Sequence, residues 1–106
     1  MSRIDAFERM LAQGQDGALL RFSLGNEYLG ADDPAAAVPH LRLAVEHDPD
    51  YSAAWRALGQ AHDRCGDHRA AAEAYRHGIA AAERRGDKQS VKQMRVFLRR
   101  LERDGW

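Results

Sequence analysis

Residues 18–51 match residues 52–85 at a fixed offset of 34, and no other feature constrains the fold as tightly. Leu24-Gly25 falls on Leu58-Gly59, Tyr28 on His62, Asp33 on Asp67, Ala37 on Ala71, Leu41 on Tyr75 and Val45 on Ile79. A period of this length marks a supersecondary unit that cannot bury its apolar face alone and does so by stacking on its neighbour. The sizes of the repeated residues say how. Small residues at Gly25/Gly59 and Ala37/Ala71 let two antiparallel helices approach closely, and Leu24/Leu58 with Leu41/Tyr75 fill the seam.

Helix is the expected state throughout, because alanine is the commonest residue and strand-favouring runs are missing. Breaks fall at Gly14-Gln15-Asp16, at 30–34, at Asp48-Pro49-Asp50, at Cys65-Gly66-Asp67 and at Gly86-Asp87. Each supplies Gly as a stop, Asp as an N-cap, or Pro near a first turn. Between them the apolar residues keep helical spacing: Ile4, Phe7 and Leu11; Leu20, Leu24 and Tyr28; Val91, Met94, Leu98 and Leu101. The expected fold is all-α, a short α-α superhelix of six antiparallel helices. Pro39 falls inside the third of these, where it removes a hydrogen bond and crowds the carbonyl of Ala35, so a bend or a late start is expected there.

On these residues the chain resembles the tetratricopeptide repeat (TPR) family. The second unit matches at Trp55, Leu58-Gly59, Gly66-Asp67, Ala71 and Tyr75. The first matches at Leu24-Gly25, Tyr28, Ala37, Leu41, Ala44 and Asp48-Pro49. Arg21 stands where the family has Trp, Gly78 where it has Ala and Glu83 where it has Pro, so the helix after Asp67 is expected to run on toward Arg85. The resemblance implies a single domain over 1–106. Its parts are an N-terminal packing helix (1–15), repeat units 18–51 and 52–85, and a C-terminal capping helix (87–104). It also implies a concave surface lined by the first helix of each unit. The positions are Leu19, Phe22, Asn26, Leu29 and Gly30 in one unit and Ala53, Arg56, Gln60, Asp63 and Arg64 in the other. Amide side chains there both donate and accept, which suits a peptide backbone, and Arg suits a carboxylate. The carboxylate clamp of some members is matched only at Asn26, since Phe22 replaces a Lys and a third repeat is absent.

Composition narrows the function classes. The 106 residues suit one domain, and a single cysteine leaves no intramolecular disulfide, in keeping with a reducing, cytoplasmic setting. No apolar run approaches the ~18 residues of a membrane span, and the N-terminus lacks a signal-peptide core. Net charge is zero, but residues 1–50 carry four Arg against nine Asp/Glu, whereas 84–106 carry eight Lys/Arg against Asp87, Glu102 and Asp104. The last helix sets Val91, Met94, Leu98 and Leu101 on one side, with Phe97 on their flank. A basic stripe of Lys88, Lys92, Arg95, Arg99 and Arg103 lies on the other. A charged face of this kind keeps a capping helix in water; it also suits an anionic surface, though without the aromatic residues that stack on single-stranded nucleic acid.

No catalytic or phosphate-binding motif is present, so no enzyme activity is expected. His62, Cys65 and His68 have metal-like spacing, but the two histidines occupy places where the resembled family packs its helices; no metal or cofactor is implied. Cys65 reads as a small residue before a turn, and His40, His47 and His77 read as solvated. Trp106 reads as frayed. The leading expectation is a non-catalytic scaffold that binds a protein, a peptide or a partner helix through Phe22, Asn26, Leu29, Arg56, Gln60, Asp63 and Arg64. Homodimerisation, with the acidic N-terminal half of one copy against the basic last helix of another, is the second expectation. Weak binding to an anionic surface is the third, with nucleic acid and membrane not expected as main partners.

Overall fold

The computed structural model describes residues 2–105. Six helices run in chain order: α1 (Arg3–Ala12), α2 (Ala18–Gly30), α3 (Pro34–His47), α4 (Ser52–Arg64), α5 (His68–Arg84) and α6 (Lys88–Asp104). Each packs on the next. In addition α2 touches α4 and α4 touches α6, so these three form an inner row with α1, α3 and α5 outside it. The body measures 42 × 29 × 18 Å. Among the described residues no helix is long and apolar enough to cross a membrane.

One turn design is used four times. Gly14, Asp32, Gly66 and Gly86 take left-handed backbone with φ of +89°, +62°, +81° and +72°. The next residue in each case, Gln15, Asp33, Asp67 or Asp87, sends its N–H back to the carbonyl of Met10, Tyr28, His62 or Ala82 at 3.0, 2.9, 2.9 and 2.9 Å. This satisfies a carbonyl that the ending helix leaves orphaned. The three aspartates then cap the helix that follows, accepting from the N–H of Ala36, Ala70 and Ser90 at 3.2, 3.2 and 3.1 Å. A cap of this kind contributes about 1 kcal/mol. At α1, Ser2 and Asp5 form a reciprocal capping box.

Pro39 changes less than its chemistry suggests. Helix α3 begins at Pro34 and runs unbroken to His47, so there is no late start. Ala35 and Pro39 both lie on its exposed side, so the Ala35 carbonyl that Pro39 leaves without a donor is open to solvent.

Small residues set the packing. Two buried clusters occupy the seams, one centred on Leu41, Val45 and Leu58 among alanines of α3, α4 and α5, the other on Tyr75, Val91 and Met94 between α5 and α6. A Cβ on Gly25 would stand 2.5 Å from Cγ of Leu41, and one on Gly59 would stand 2.4 Å from Cε1 of Tyr75. Gly78 answers the same demand, since a Cβ there would meet Sδ of Met94 at 2.5 Å and Cβ of Trp55 at 2.9 Å. The departure from Ala at this position is therefore what seats α6. The two ends differ in depth: α6 buries Val91, Met94 and Leu101, whereas α1 fully buries nothing and lays Ile4, Phe7, Met10 and Leu11 half-exposed beside α2.

Candidate functional site

The inner row encloses a cleft of about 450 Å³. Its walls are Asn26, Leu29 and Gly30 of α2, then Gln60, Asp63 and Arg64 of α4, each set spaced so that one helix face supplies it. Five of the seven expected groove side chains thus come together: Asn26, Leu29, Gln60, Asp63 and Arg64. Phe22 and Arg56 lie outside this cleft. The Phe22 ring packs on Tyr51 with centroids 4.9 Å apart, and Arg56 donates to Oε1 of Gln93 at 2.8 Å, tying α4 to α6.

The charges in the cleft are unequal in availability. Arg64 donates to the carbonyl of Leu29 at 3.1 Å and pairs with Asp32, so it clips the end of α2 to α4. Asp63 faces Nε2 of His68 at 3.5 Å. Asn26 and Gln60, one repeat apart, make no side-chain hydrogen bond among the described residues, and each keeps an amide donor and acceptor free.

Three further residues line the cleft: Tyr75 of α5 with Phe97 and Arg100 of α6. The fixed offset of 34 hides the two on α6. Helix α5 has 17 residues against 14 in α3, which moves the start of α6 two places later than the repeat would put it. Counted from helix starts at Ala18, Ser52 and Lys88, Arg100 takes the place of Gly30 and Arg64. That count, together with Phe97 on the flank of the apolar face, was the available signal.

The basic residues of α6 divide into two surfaces. Lys88, Lys92 and Arg95 border a cleft of about 500 Å³ with Glu83 and Asp87, and Arg95 pairs with Glu83 at 3.2 Å. Arg99 and Arg103 border another with Val96 and Arg100, and Arg103 lies 3.6 Å from Asp104. Lys88, Lys92 and Arg99 have no ion pair among the described residues.

A separate polar network holds the N-terminal end. Arg21, at the place of the family's Trp, donates through Nε and Nη2 to Asp16 at 2.8 and 2.9 Å and through Nη1 to Nδ1 of His40 at 3.1 Å. The Tyr28 hydroxyl donates to Oε1 of Glu8 at 3.0 Å, and Nε2 of His40 lies 3.6 Å from the same oxygen. His40 stacks on Tyr28 with its side chain only 16 % exposed, which corrects the expectation that it is solvated. The equivalent Trp55 instead donates to the carbonyl of Pro49 at 2.8 Å and stacks on His77.

This network has a pH consequence. Burial first, and the Arg21 guanidinium with it, push the His40 pKa below the ordinary value of 6.5, outweighing the carboxylates of Glu8 and Asp16. His62 moves the same way, through burial and then Arg42, against Asp67. The folded state therefore binds protons less readily than the unfolded chain. Stability is full above pH ~6.5 and falls below it, as the unfolded histidines take up protons first. Thermal melts between pH 8 and 5 are expected to show a midpoint that declines on the acid side, and His40→Gln should flatten the decline. An equally steep decline in that variant would remove His40 from the account.

The described residues contain no group of three or more His, Cys, Asp or Glu placed to hold a metal, and Cys65 is exposed. Trp106 lies outside the described residues.

A family model described as tetratricopeptide repeat matches residues 28–91. The chain is 51 % identical over 100 residues to a TPR repeat-containing protein of Pseudomonas aeruginosa, covering 94 % of this chain and 95 % of that one. Among solved structures, a protein of Bordetella parapertussis is similar at a TM-score of 0.83 and 48 % identity, covering 98 % of this chain and 90 % of that one. A tetratricopeptide repeat domain protein of Salinibacter ruber is similar at a TM-score of 0.74 and 26 % identity, covering 80 % of this chain and 96 % of that one.

Proposed function

Because the chain belongs to the tetratricopeptide repeat family, we propose that it is a non-catalytic interaction module that holds an extended peptide of a partner protein along the inner row of helices. On this reading residues 18–51 and 52–85 are the two repeat units, and the flanking helices α1 and α6 close the stack. The observation that carries the reading is the pair of unengaged amides. Asn26 and Gln60 lie in one cleft on successive inner helices, with donors and acceptors that a peptide backbone can satisfy. Leu29 beside them offers apolar contact, while Arg64 and Arg56 serve to hold the inner helices in register.

The test is to select binding peptides from a random display library and map the tightest by amide chemical shifts on the full chain. The expected result is movement of the Asn26 and Gln60 side-chain NH₂ signals, and at least about tenfold weaker binding by an Asn26→Ala/Gln60→Ala variant, as expected for two lost hydrogen bonds. Peptides that map to the outer faces of α3 and α5, or that bind the double variant as tightly, would overturn the reading.

A further inference from the structure

Inner and outer helices alternate along the stack, and each end of it holds half of a pair. Helix α6 lies in the inner row, and among the described residues no outer helix covers its far side. Helix α1 lies outside the row, and among the same residues no inner helix covers its far side. In a stack of this kind every helix pair buries its apolar face on the next, so half a pair leaves a cleft.

Both ends have one. Between α1 and α2 a cleft of about 450 Å³ is lined by Phe7, Met10, Leu19, Leu20 and Ser23 among others, and Asp16 is the only charged residue on its walls. At the other end lies the cleft of about 500 Å³ beside Val91, Lys88 and Lys92. Two large apolar side chains are exposed among the described residues, and they stand one at each end: Leu19 at 69 % and Val96 at 50 %.

The register of the inner row relates the two ends. Counted from the helix starts, Val96 takes the place of Asn26 and Gln60, the side chains that each inner helix turns toward the next. Lys92 takes the place of Arg56, which reaches from α4 to Gln93 of α6. The counterpart of Gln93 on α2 is Ser23, and Ser23 lines the first cleft. The face that α6 turns outward is thus the one that an inner helix presents to its successor, and the cleft beside α2 is where a predecessor would lie.

We propose that copies of this chain associate end to end, α6 of one copy lying in the α1–α2 cleft of the next, so that α6 and the neighbour's α1 make up one complete helix pair. The order across the junction is then inner α6, outer α1 and inner α2, which continues the alternation without a break. Val96 meets Leu19 and Ser23, and Val91 meets the apolar side of α1. Charge favours a second copy as the occupant. The first fifty residues carry an excess of Asp and Glu, whereas Lys92, Arg99 and Arg103 surround Val96. Arg95 limits the depth of the contact. It stands where Gly25 and Gly59 admit Leu41 and Tyr75, and it is tied to Glu83 at 3.2 Å, so α1 rides higher on α6 than α3 and α5 ride on their partners. The junction is therefore weak and reversible. Its two sides are different surfaces, which makes the assembly heterologous and open-ended.

The experiment follows the mean mass of the full chain by sedimentation and light scattering from about 10 μM to about 1 mM, the range of a weak contact. Leu19→Lys blocks one end and Val96→Glu the other. Both side chains are exposed on helices, so each variant should melt within about 5 °C of the unaltered chain. The unaltered chain is expected to grow with concentration without levelling at two copies. Each variant alone should keep the mass of one chain. An equimolar mixture of the two should give twice that mass and nothing larger, because one blocked copy still has the free end that the other lacks. An unaltered chain that stays at the mass of one copy over the whole range would overturn the proposal. So would variants that assemble as it does, or a mixture in which no dimer forms.

Discussion

A chain ending at Gly86, and so lacking α6, is expected to lose its cooperative thermal transition. Val91, Met94 and Leu101, with Phe97 and Leu98 packed beside them, cover the far face of α5, and Met94 is fully buried against Gly78. Without them Tyr75, Ala71, Ala72 and Ala82 meet water. A two-repeat stack has no spare core to absorb the loss, since the net stability of a domain this size is only about 5–15 kcal/mol. Removing α1 is the informative comparison. That helix fully buries no residue, and much of its attachment is polar: Arg3 with Glu27, and Glu8 with Tyr28 and His40. A chain starting at Gln15 should therefore keep a sharp transition at a lower midpoint. Circular dichroism melts of the two truncations decide the matter. The reverse order, or an α6-less chain melting cooperatively within about 5 °C of the full chain, roughly 1 kcal/mol at this size, would contradict the packing described here.

The second large effect is at the first repeat's helix crossing. Leu41 is fully buried with its branch point over Gly25. Leu41→Ala should cost about 2–5 kcal/mol, lowering the melting midpoint by roughly 10–30 °C. Gly25→Ala alone should cost about 1–3 kcal/mol, because Cγ of Leu41 cannot swing aside as a flexible tip would, and the better helix propensity of Ala recovers less than about 1 kcal/mol of it. In the double variant the obstacle and the added methyl are no longer in conflict. Its destabilisation should fall short of the sum of the two by about 1 kcal/mol or more, read from denaturant unfolding of all four proteins. An additive cycle would mean that Leu41 does not wedge against Gly25. At Gly59 the ring of Tyr75 lines the cleft as well as the core, so the first repeat is the cleaner place to measure it.

How much of this was legible beforehand depends on whether the information is local. The turns were readable because a left-handed residue followed by an Asp cap involves only a few neighbouring positions, as at Gly66-Asp67 and Gly86-Asp87. The helix pairing was readable because Gly25 and Gly59 recur opposite Leu41 and Tyr75 at one offset. The state of Arg56 and Arg64 was not readable. Nothing in their own helix records that Gln93 lies 37 positions on, or that the carbonyl of Leu29 lies 35 positions back, so two groove cations turned out to be clips between helices. His40 misled for the same reason: its shelter comes from Tyr28 and Arg21 on α2 and Glu8 on α1.

The amino-acid sequence by itself determined the all-α repeat architecture, the helix ends and the residues of the seams. Those follow from spacing, size and capping, which are properties of short stretches repeated at a fixed interval. Tertiary structure alone decided which polar groups remain available and which helices share the cleft. The longer α5 carries α6 two residues out of the repeat's phase, and that displacement sets Arg100 and Phe97 beside Tyr75. Availability is a property of distances between helices, and a side chain is spent or free only once the neighbours that fold brings to it are in place.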